Sequence, residues 1–393
     1  MENLGIIEDG AIAITSSRIG AVGKTSDILS QYSAAERVDA AGRIVTPGFI
    51  DPHTHFVFAG SRENELELKI KGASYLEILE QGGGILRTVK DTRAASKNEL
   101  LRICSERAKN LLVHGATTIE AKSGYGLTLD DELKSLEVIR ELNSAGPLSL
   151  VPTFLGAHAV PPEYQDRVDE YVELLCERWV PEVARRRLAV FCDVFCEKGV
   201  FEIEDSRRIL EAGKRVGLLP RIHADEFFAL GGAELAAEVG AVSADHLLFV
   251  TATGISALKS AGTIATLLPA APLTLMLDRY ADARKIISEG VPVAIGSDLS
   301  PGCWLENPQL AIGLACYKLK MTPAEALVAS TINAAHAIRR ADEVGSIEVG
   351  KQADMLVVDA PDYRFLGYRF GTNMVERVVK KGRVVAEQGR LVA

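Results

Sequence analysis

The middle of the chain alternates eight times between a short apolar segment and a segment with helical periodicity, and this alternation constrains the fold most strongly. The apolar segments, which we predict to be strands, lie near residues 44–56, 115–121, 148–158, 189–196, 218–224, 241–247, 263–269 and 291–297. Because near-continuous apolar strands joined by helices form parallel sheets, we predict an α/β fold, a TIM-like (β/α)8 barrel. An open doubly wound sheet is the alternative. It is disfavoured by the count of eight and by the lack of a glycine-rich turn after the first strand.

The two ends of the chain show a different pattern, in which short alternating runs are separated by turn residues. The runs are Ala11–Thr15, Ile19–Val22, Met355–Asp359, Val375–Lys380 and Arg383–Ala386. Neither end is long enough to bury a sound core alone. We therefore predict that residues 1–46 and 345–393 combine into one small β-sandwich domain. The barrel, residues 47–344, is then inserted between its two parts.

Composition narrows the class of partner. The 393 residues include 44 basic and 53 acidic side chains, which gives a formal net charge of −9. Nucleic acids and anionic membranes attract basic surfaces, so we expect neither as a partner. The longest apolar stretch, about 263–277, contains two prolines and is too short to span a bilayer. The first residues lack signal-peptide features and the six cysteines are scattered, so we expect a cytoplasmic protein with reduced thiols.

Histidine and aspartate follow the predicted strands at the barrel face where active sites form. His53 and His55 stand at the end of the first predicted strand. Their side chains project from the same side of the strand, because successive side chains alternate between its two sides. His223 ends the fifth strand and Asp298 the eighth. Imidazole and carboxylate are ligands of zinc-like ions, and three or four of them leave room for water. We therefore predict a metal site at His53, His55, His223 and Asp298, although a His-x-His pair alone can also be two unrelated polar residues.

Acid–base groups stand beside the predicted ligands. A divalent ion lowers the pKa of bound water to about 7, which supplies hydroxide at neutral pH. Asp298 can ligate the ion and also relay a proton. Glu226, three residues after His223, and His246, at the end of the sixth strand, are candidates for general acid or base. The alternative role for Glu226 and His246 is to support the ligands by hydrogen bonding.

Six segments are similar to those of the imidazolonepropionase family, ring-opening hydrolases of histidine degradation in the amidohydrolase superfamily. The segments are Asp51–Glu65, Gly82–Ile85 with Thr88-Val89 and Thr92-Arg93, Lys122–Leu127, Thr153–His158, His223–Glu226 and Gly296–Asp298. The histidine and aspartate set marks only the superfamily. Three shorter runs point to the family itself, namely Gly60-Ser-Arg-Glu-Asn-Glu65, Lys122-Ser-Gly-Tyr-Gly126 and Leu155-Gly-Ala-His158. Residues 345–354 also resemble the superfamily's C-terminal return.

The resemblance implies one zinc or iron ion, a homodimer and a small anionic substrate. The implied reaction is hydrolysis of 4-imidazolone-5-propanoate to N-formimidoyl-L-glutamate. Substrate contacts are implied for Arg62, Tyr125, His158, Glu226, Ser300, Gly302 and Cys303. A propionate tail on a protein of negative charge needs a cation, and arginine offers a bidentate fork to a carboxylate. The chain departs from the family at Ser300, usually Asn, and at Cys303, usually Thr or Ser, which have weaker hydrogen-bonding groups here.

Two other functions stay open from the sequence. A purine or pyrimidine aminohydrolase (deaminase) can use the same histidine, glutamate and aspartate set, and ammonia release from guanine or cytosine would identify it. Arg62 disfavours this function, because a neutral base needs no carboxylate partner. The other possibility is a catalytically silent amidohydrolase-like scaffold, which the departures at Ser300 and Cys303 favour and which metal analysis would distinguish.

Overall fold

The computed structural model describes residues 1, 3–73, 77 and 82–392. The strands within these residues are β1 (Gly10–Thr15), β2 (Arg18–Lys24), β3 (Ile44–Pro47), β4 (Phe49–Asp51), β5 (Ala116–Lys122), β6 (Ser149–Ala157), β7 (Phe191–Cys196), β8 (Leu219–Ala224), β9 (Ser243–His246), β10 (Ile264–Leu267), β11 (Val293–Ile295), β12 (Met355–Val358), β13 (Val375–Lys380), β14 (Arg383–Glu387) and β15 (Arg390–Leu391).

Strands β4 to β11 form one parallel sheet in sequence order, eight strands in the described part of the chain. Just beyond its two edge strands the backbones also pair: the N–H of Asp298 donates to the carbonyl of His53 (3.2 Å), and that of His55 to the carbonyl of Leu299 (2.8 Å). These bonds close the sheet at its carboxyl end. The predicted (β/α)8 barrel is therefore confirmed, and the open doubly wound sheet is wrong.

Helices connect the barrel strands and pack against them. All helices of the described residues, inside and outside the barrel, cover Thr25–Gln31, Glu63–Ile70, Gly84–Ala94, Lys97–Val113, Leu129–Ala145, Val168–Leu174, Val180–Arg185, Ile203–Arg215, Gly232–Val239, Ala252–Ala261, Ala270–Thr274, Ala283–Ser288, Pro308–Lys318, Pro323–Ala329, Ile332–Ala337 and Phe365–Tyr368. A 3-10 turn at Pro162–Tyr164 and a π turn at Leu175–Trp179 complete them. Side-chain caps fix several starts; the Thr128 hydroxyl, for example, accepts from the N–H of Asp131.

Strands from both ends of the chain form the smaller part of the fold. An antiparallel sheet has the order β15-β14-β13-β12-β3, so a strand that precedes the barrel pairs with strands that follow it. The β1–β2 hairpin contributes Ile19 to a buried cluster with Ala353, Met355 and Val379. Burial of these apolar side chains holds the hairpin against the sheet. The exact division of the chain into domains at residues 46/47 and 344/345 stays a prediction.

The single strand predicted near 44–56 is wrong in its extent. The segment forms β3, which belongs to the small sheet, and β4, which belongs to the barrel. Gly48 separates the two strands, and a Cβ at this position would lie 2.3 Å from the Thr117 hydroxyl oxygen. Pro47 also lacks an N–H for a continuing ladder. In the part of the chain that the structure describes, no helix has the length and apolarity needed to cross a bilayer.

Candidate active site

Three imidazoles and one carboxylate converge at the carboxyl end of the barrel. The Nε2 atom of His55 lies 3.4 Å from Nε2 of His53 and 3.3 Å from Nε2 of His223. One carboxylate oxygen of Asp298 lies 3.5 Å from Nε2 of His53 and 3.4 Å from Nε2 of His55. All four side chains are buried. The structure thus brings together the four residues that we predicted as metal ligands.

The far nitrogens of two of these imidazoles face carboxylates. Nδ1 of His53 lies 2.6 Å from Asp245, and Nδ1 of His223 lies 3.2 Å from Asp193. An ionised carboxylate only accepts hydrogen bonds, so both protons belong on Nδ1 and both Nε2 atoms carry lone pairs. Burial also holds the pKa of His53 and of His55 well below the ordinary value, which keeps these rings neutral.

This donor set fits a divalent metal ion. Three imidazole nitrogens and one carboxylate oxygen face one another in the cluster. At most one of these four atoms, Nε2 of His55, can carry a proton. A tetrahedral ion with bonds of about 2.0–2.1 Å separates its ligand atoms by roughly 3.4 Å. The separations of His55 from His53, His223 and Asp298, and of Asp298 from His53, are 3.3–3.5 Å and match that spacing. Without a cation, their lone pairs repel one another in a buried site.

A buried charge network lies beneath the cluster, and most of it was not predicted from the sequence. The Lys122 ammonium lies 2.7 Å from Asp193 and 2.9 Å from Glu120, and Arg221 lies 2.9 Å from Asp245. Burial alone would raise the pKa of Asp193, but interactions with His223 and Lys122 hold it well below its ordinary value. One available signal was a charged residue inside an apolar strand, as in Phe-Cys-Asp193-Val-Phe-Cys.

Glu226 and His246 form a second pair beside the cluster. The Glu226 carboxyl lies 3.5 Å from Nδ1 of His246, and neither ring nitrogen of His246 has a hydrogen-bond partner. Burial and the charge of Asp298 raise the pKa of Glu226 well above its ordinary value, while burial lowers that of His246 to about 3. The raised pKa of Glu226 favours its protonated form, and the low pKa of His246 keeps that imidazole neutral at neutral pH. Such a pair can give and accept a proton.

Local backbone geometry orients these groups. His246, at the end of β9, has a φ of +77°, and Asp298, three residues after β11, has a φ of +56°, so the backbone is left-handed at both residues. Such strained residues cluster at functional sites. After β8, the Asp225 carboxylate accepts four backbone N–H groups, each at 3.1 Å, at the start of the helix Gly232–Val239. This cap fixes the short segment that carries Glu226.

The predicted substrate residues Tyr125 and His158 lie against the cluster. The His158 ring stacks on His55 with centroids 4.6 Å apart, and its Nδ1 lies 3.0 Å from the carbonyl of Gly124. The Tyr125 ring is centred 5.0 Å from His158. Burial holds the pKa of His158 well below its ordinary value. Both side chains are therefore positioned to face a molecule bound beside His55.

Arg62 lies against the loop that follows Asp298. A Cβ on Gly302 would lie 2.6 Å from one terminal nitrogen of the Arg62 guanidinium, so the two groups are in close contact. The Nε atom of Arg62 is buried and has no hydrogen-bond partner. A buried guanidinium donor of this kind matches the carboxylate partner predicted for Arg62 from the sequence.

The side chains of Ser300 and Cys303 are engaged within their own loop. The Ser300 hydroxyl accepts from the N–H of Cys303 at 3.1 Å, and the Cys303 thiol lies 3.5 Å from the carbonyl of Ser297. Burial raises the pKa of the Cys303 thiol far above its ordinary value, so this thiol is not a reactive thiolate. The substrate contacts assigned to these two residues stay a prediction.

Comparison with known proteins defines the class. The amidohydrolase family model matches residues 44–385, so the chain belongs to the amidohydrolase family. Imidazolonepropionase from Brevibacillus brevis is 54% identical over all of this chain and 93% of its own length. The enzymes of that name from Geobacillus kaustophilus and Shouchella clausii are 50% and 49% identical over all of this chain, with 93% and 89% of their lengths covered. Within the amidohydrolases, the chain belongs to the imidazolonepropionase family.

Solved structures of lower identity share the fold. The 5-methylcytosine deaminase of Klebsiella pneumoniae superposes with a TM-score of 0.74 at 16% identity, over 97% of this chain and 96% of that one. An adenosine deaminase of Xanthomonas campestris, solved with bound zinc, gives a TM-score of 0.71 at 20% identity, over 98% and 90%. At these identities the likeness concerns architecture alone.

Proposed function

We propose that this protein hydrolyses 4-imidazolone-5-propanoate to N-formimidoyl-L-glutamate, a step of histidine degradation. It is a hydrolase that acts on a C–N bond of a cyclic amide. The observation that carries the proposal is the identity of about half of all residues with imidazolonepropionases over the whole chain. The buried, unpartnered Nε of Arg62 near the cluster supports a substrate that carries a carboxylate.

One divalent ion, zinc or iron, completes the proposed site. His53, His55, His223 and Asp298 would hold it, and the spacing of their ligand atoms supports this assignment. When bound, such an ion polarises a carbonyl and lowers the pKa of water to about 7. Asp193 and Asp245 keep the lone pairs of His223 and His53 directed at the ion by accepting their Nδ1 protons.

The protein's own side chains bind the substrate and move protons in this proposal. Arg62 binds the propionate, and Tyr125 and His158 orient the ring. Hydrolysis adds the hydroxyl of water to the ring carbonyl carbon and a proton to the departing ring nitrogen. Glu226 supplies that proton from its carboxyl oxygen, Asp298 accepts the proton of the attacking water, and His246 donates a hydrogen bond to the carbonyl oxygen.

The remaining parts of the proposal concern the loop after Asp298 and the surroundings of the protein. Ser300, Gly302 and Cys303 line the substrate through their backbone and through the position they give Arg62.

We propose a cytoplasmic homodimer. Free thiols at all six cysteines support a reducing compartment, and the dimer is what the resemblance to the imidazolonepropionase family implies.

Turnover of the substrate tests the proposal. Metal-replete protein is mixed with imidazolone propionate, the loss of its absorbance is followed, and formimino-glutamate is identified as the product. Absence of turnover rejects the proposal. Ammonia release from guanine or cytosine by the same preparation would instead identify an aminohydrolase. Purified protein that holds almost no metal, and that added zinc or iron does not activate, would support a silent scaffold.

A further inference from the structure

The loop that carries Tyr125 is bound on both of its polar sides by side chains from neighbouring helices. The Glu132 carboxylate accepts the N–H groups of Gly124 (2.9 Å), Gly126 (2.8 Å) and Leu127 (2.9 Å). From the other side, the Arg93 guanidinium donates to the carbonyls of Gly126 (2.7 Å) and Leu127 (3.0 Å). Two side chains therefore form hydrogen bonds with five backbone groups of one short loop.

The loop has a strained backbone conformation, which depends on the hydrogen bonds from Glu132 and Arg93. Leu127 has a φ of +49°, which is unusual for a residue with a branched side chain, and Gly124 has a φ of +115°. A Cβ on Gly126 would lie 2.6 Å from the backbone N of Glu132, so the loop lies directly on the start of the helix Leu129–Ala145. Backbone strain of this kind persists only where the surroundings hold it.

The loop also sets the position of His158, because the Gly124 carbonyl is the partner of the His158 Nδ1 atom at 3.0 Å. Tyr125, between Gly124 and Gly126, places its ring 5.0 Å from the same histidine. A change in the peptide at Gly124 therefore reaches both side chains. Glu132 itself is fully buried, and the hydrogen bonds it accepts within the described residues come from this loop and not from the metal cluster.

We propose that Glu132 and Arg93 are positioning residues that hold the loop Gly124–Leu127 and thereby present Tyr125 and His158 to the substrate. This inference rests on the proposed function, in which these two side chains orient the ring. It gives a role to Arg93, part of a segment shared with the imidazolonepropionase family that lies outside the proposed chemistry. Because neither residue reaches the metal ligands, their effect is on substrate binding and not on metal content.

Glu132→Gln tests the proposal. The glutamine oxygen can still accept from Gly126 and Leu127, but its amide NH2 then faces the N–H of Gly124, and two donors repel each other. We expect KM to rise about tenfold, with kcat within about threefold of wild type and the metal content unchanged. The matched control is Glu137→Gln on the same helix, where only ion pairs with Lys97 and Arg186 are lost.

Hydrogen exchange of the backbone amides at 123–128 gives a readout that needs no substrate. The amides exchange faster in Glu132→Gln than in Glu137→Gln if the loop is held as proposed. A folded Glu132→Gln protein with KM within twofold of wild type, or with unchanged exchange, overturns the proposal. If Glu132→Gln does not fold, Arg93→Met, at a partly exposed side chain, is judged by the same two criteria.

A negative result for the proposed function can be distinguished from a negative result for this inference. Wild-type protein that does not turn over imidazolone propionate rejects the function, whatever the variants do. The exchange data then decide whether Glu132 holds the loop: faster exchange supports that part, and unchanged exchange overturns it.

Discussion

The Nε2 atoms of His55 and His223 lie 3.3 Å apart, although 168 residues separate them in the chain. The proton of His223 is on its Nδ1, toward Asp193, so its Nε2 presents a lone pair to His55. His53 stands in the same relation to Asp245. Burying these groups together is costly unless a cation binds them.

Asp193→Asn is expected to weaken metal binding by about 10–100-fold, because the partner of His223 loses its charge while keeping its size. Chelator competition on the folded protein measures the affinity. Asp169→Asn is the matched control, since Asp169 is an exposed residue paired with Arg208 at the surface. An Asp193→Asn protein that binds the metal as tightly as wild type contradicts the role of Asp193.

Arg62→Ala is expected to raise KM for imidazolone propionate by about 10–100-fold with little change in kcat, because the variant loses charge-assisted bonds to the carboxylate. Steady-state kinetics give the two constants separately. Arg62→Lys keeps the positive charge but loses the bidentate geometry, so its KM should fall between those of wild type and Arg62→Ala. The control is Arg167→Ala, at an exposed ion pair with Glu170. Unchanged kinetics in Arg62→Ala would remove Arg62 from the binding site.

Gly302→Ala is expected to raise KM without lowering the thermal midpoint of unfolding. The new Cβ would approach a terminal nitrogen of Arg62 to 2.6 Å, so the guanidinium has to move. The backbone tolerates alanine, because φ of Gly302 is outside the left-handed region, and alanine there stabilises by roughly 0.4–1 kcal/mol. Kinetics and thermal unfolding of one preparation check both parts. A lower midpoint with normal KM would show that Gly302 serves the loop and not Arg62.

Glu226 makes the stability of the metal-free protein depend on pH. Burial and the charge of Asp298 raise its pKa in the folded state, so the folded protein holds a proton that the unfolded chain releases above about pH 4.5. Its stabilising contribution is therefore lost as pH rises from that value through the folded pKa. Glu226→Gln mimics the protonated form, so its midpoint temperature of unfolding should change less with pH than that of wild type. Above the folded pKa of Glu226, the variant should unfold at a higher temperature than wild type.

Thermal unfolding of chelator-treated wild type and Glu226→Gln between pH 5 and pH 8 measures this difference. The same variant should lose most turnover, because its amide cannot transfer a proton. Glu163→Gln is the control, since burial affects that exposed residue little and Arg93 lowers its pKa. Parallel stability curves for wild type and Glu226→Gln would contradict the raised pKa.

The sequence was sufficient to predict the parts of the fold that depend on local pattern. The eight barrel segments are apolar and separated by helical periodicity, and strand ends fall on one face of a barrel, so His53, His55, His223 and Asp298 were predictable as neighbours. The division of residues 44–51 between two sheets was not, because both halves are apolar. It depends on the contact between Gly48 and Thr117, which is 69 residues away in the chain.

The charge network was not predictable for a related reason. Lys122 and Asp193 are fully buried as a pair, yet each residue alone is typical of the surface. Only the folded barrel shows that the two strands place them 2.7 Å apart. The engagement of Ser300 and Cys303 within their own loop likewise depends on a turn that their residue types do not specify.

Anomalous diffraction from crystals of the purified protein, recorded at the zinc and iron absorption edges, shows directly whether one metal ion binds among the three histidines and Asp298. The expected result is a single strong peak among the Nε2 atoms of His53, His55 and His223 and a carboxylate oxygen of Asp298, with bonds of about 2.0–2.2 Å. A metal-supplemented crystal with no peak there, or with the four side chains turned away from one another, would contradict the account.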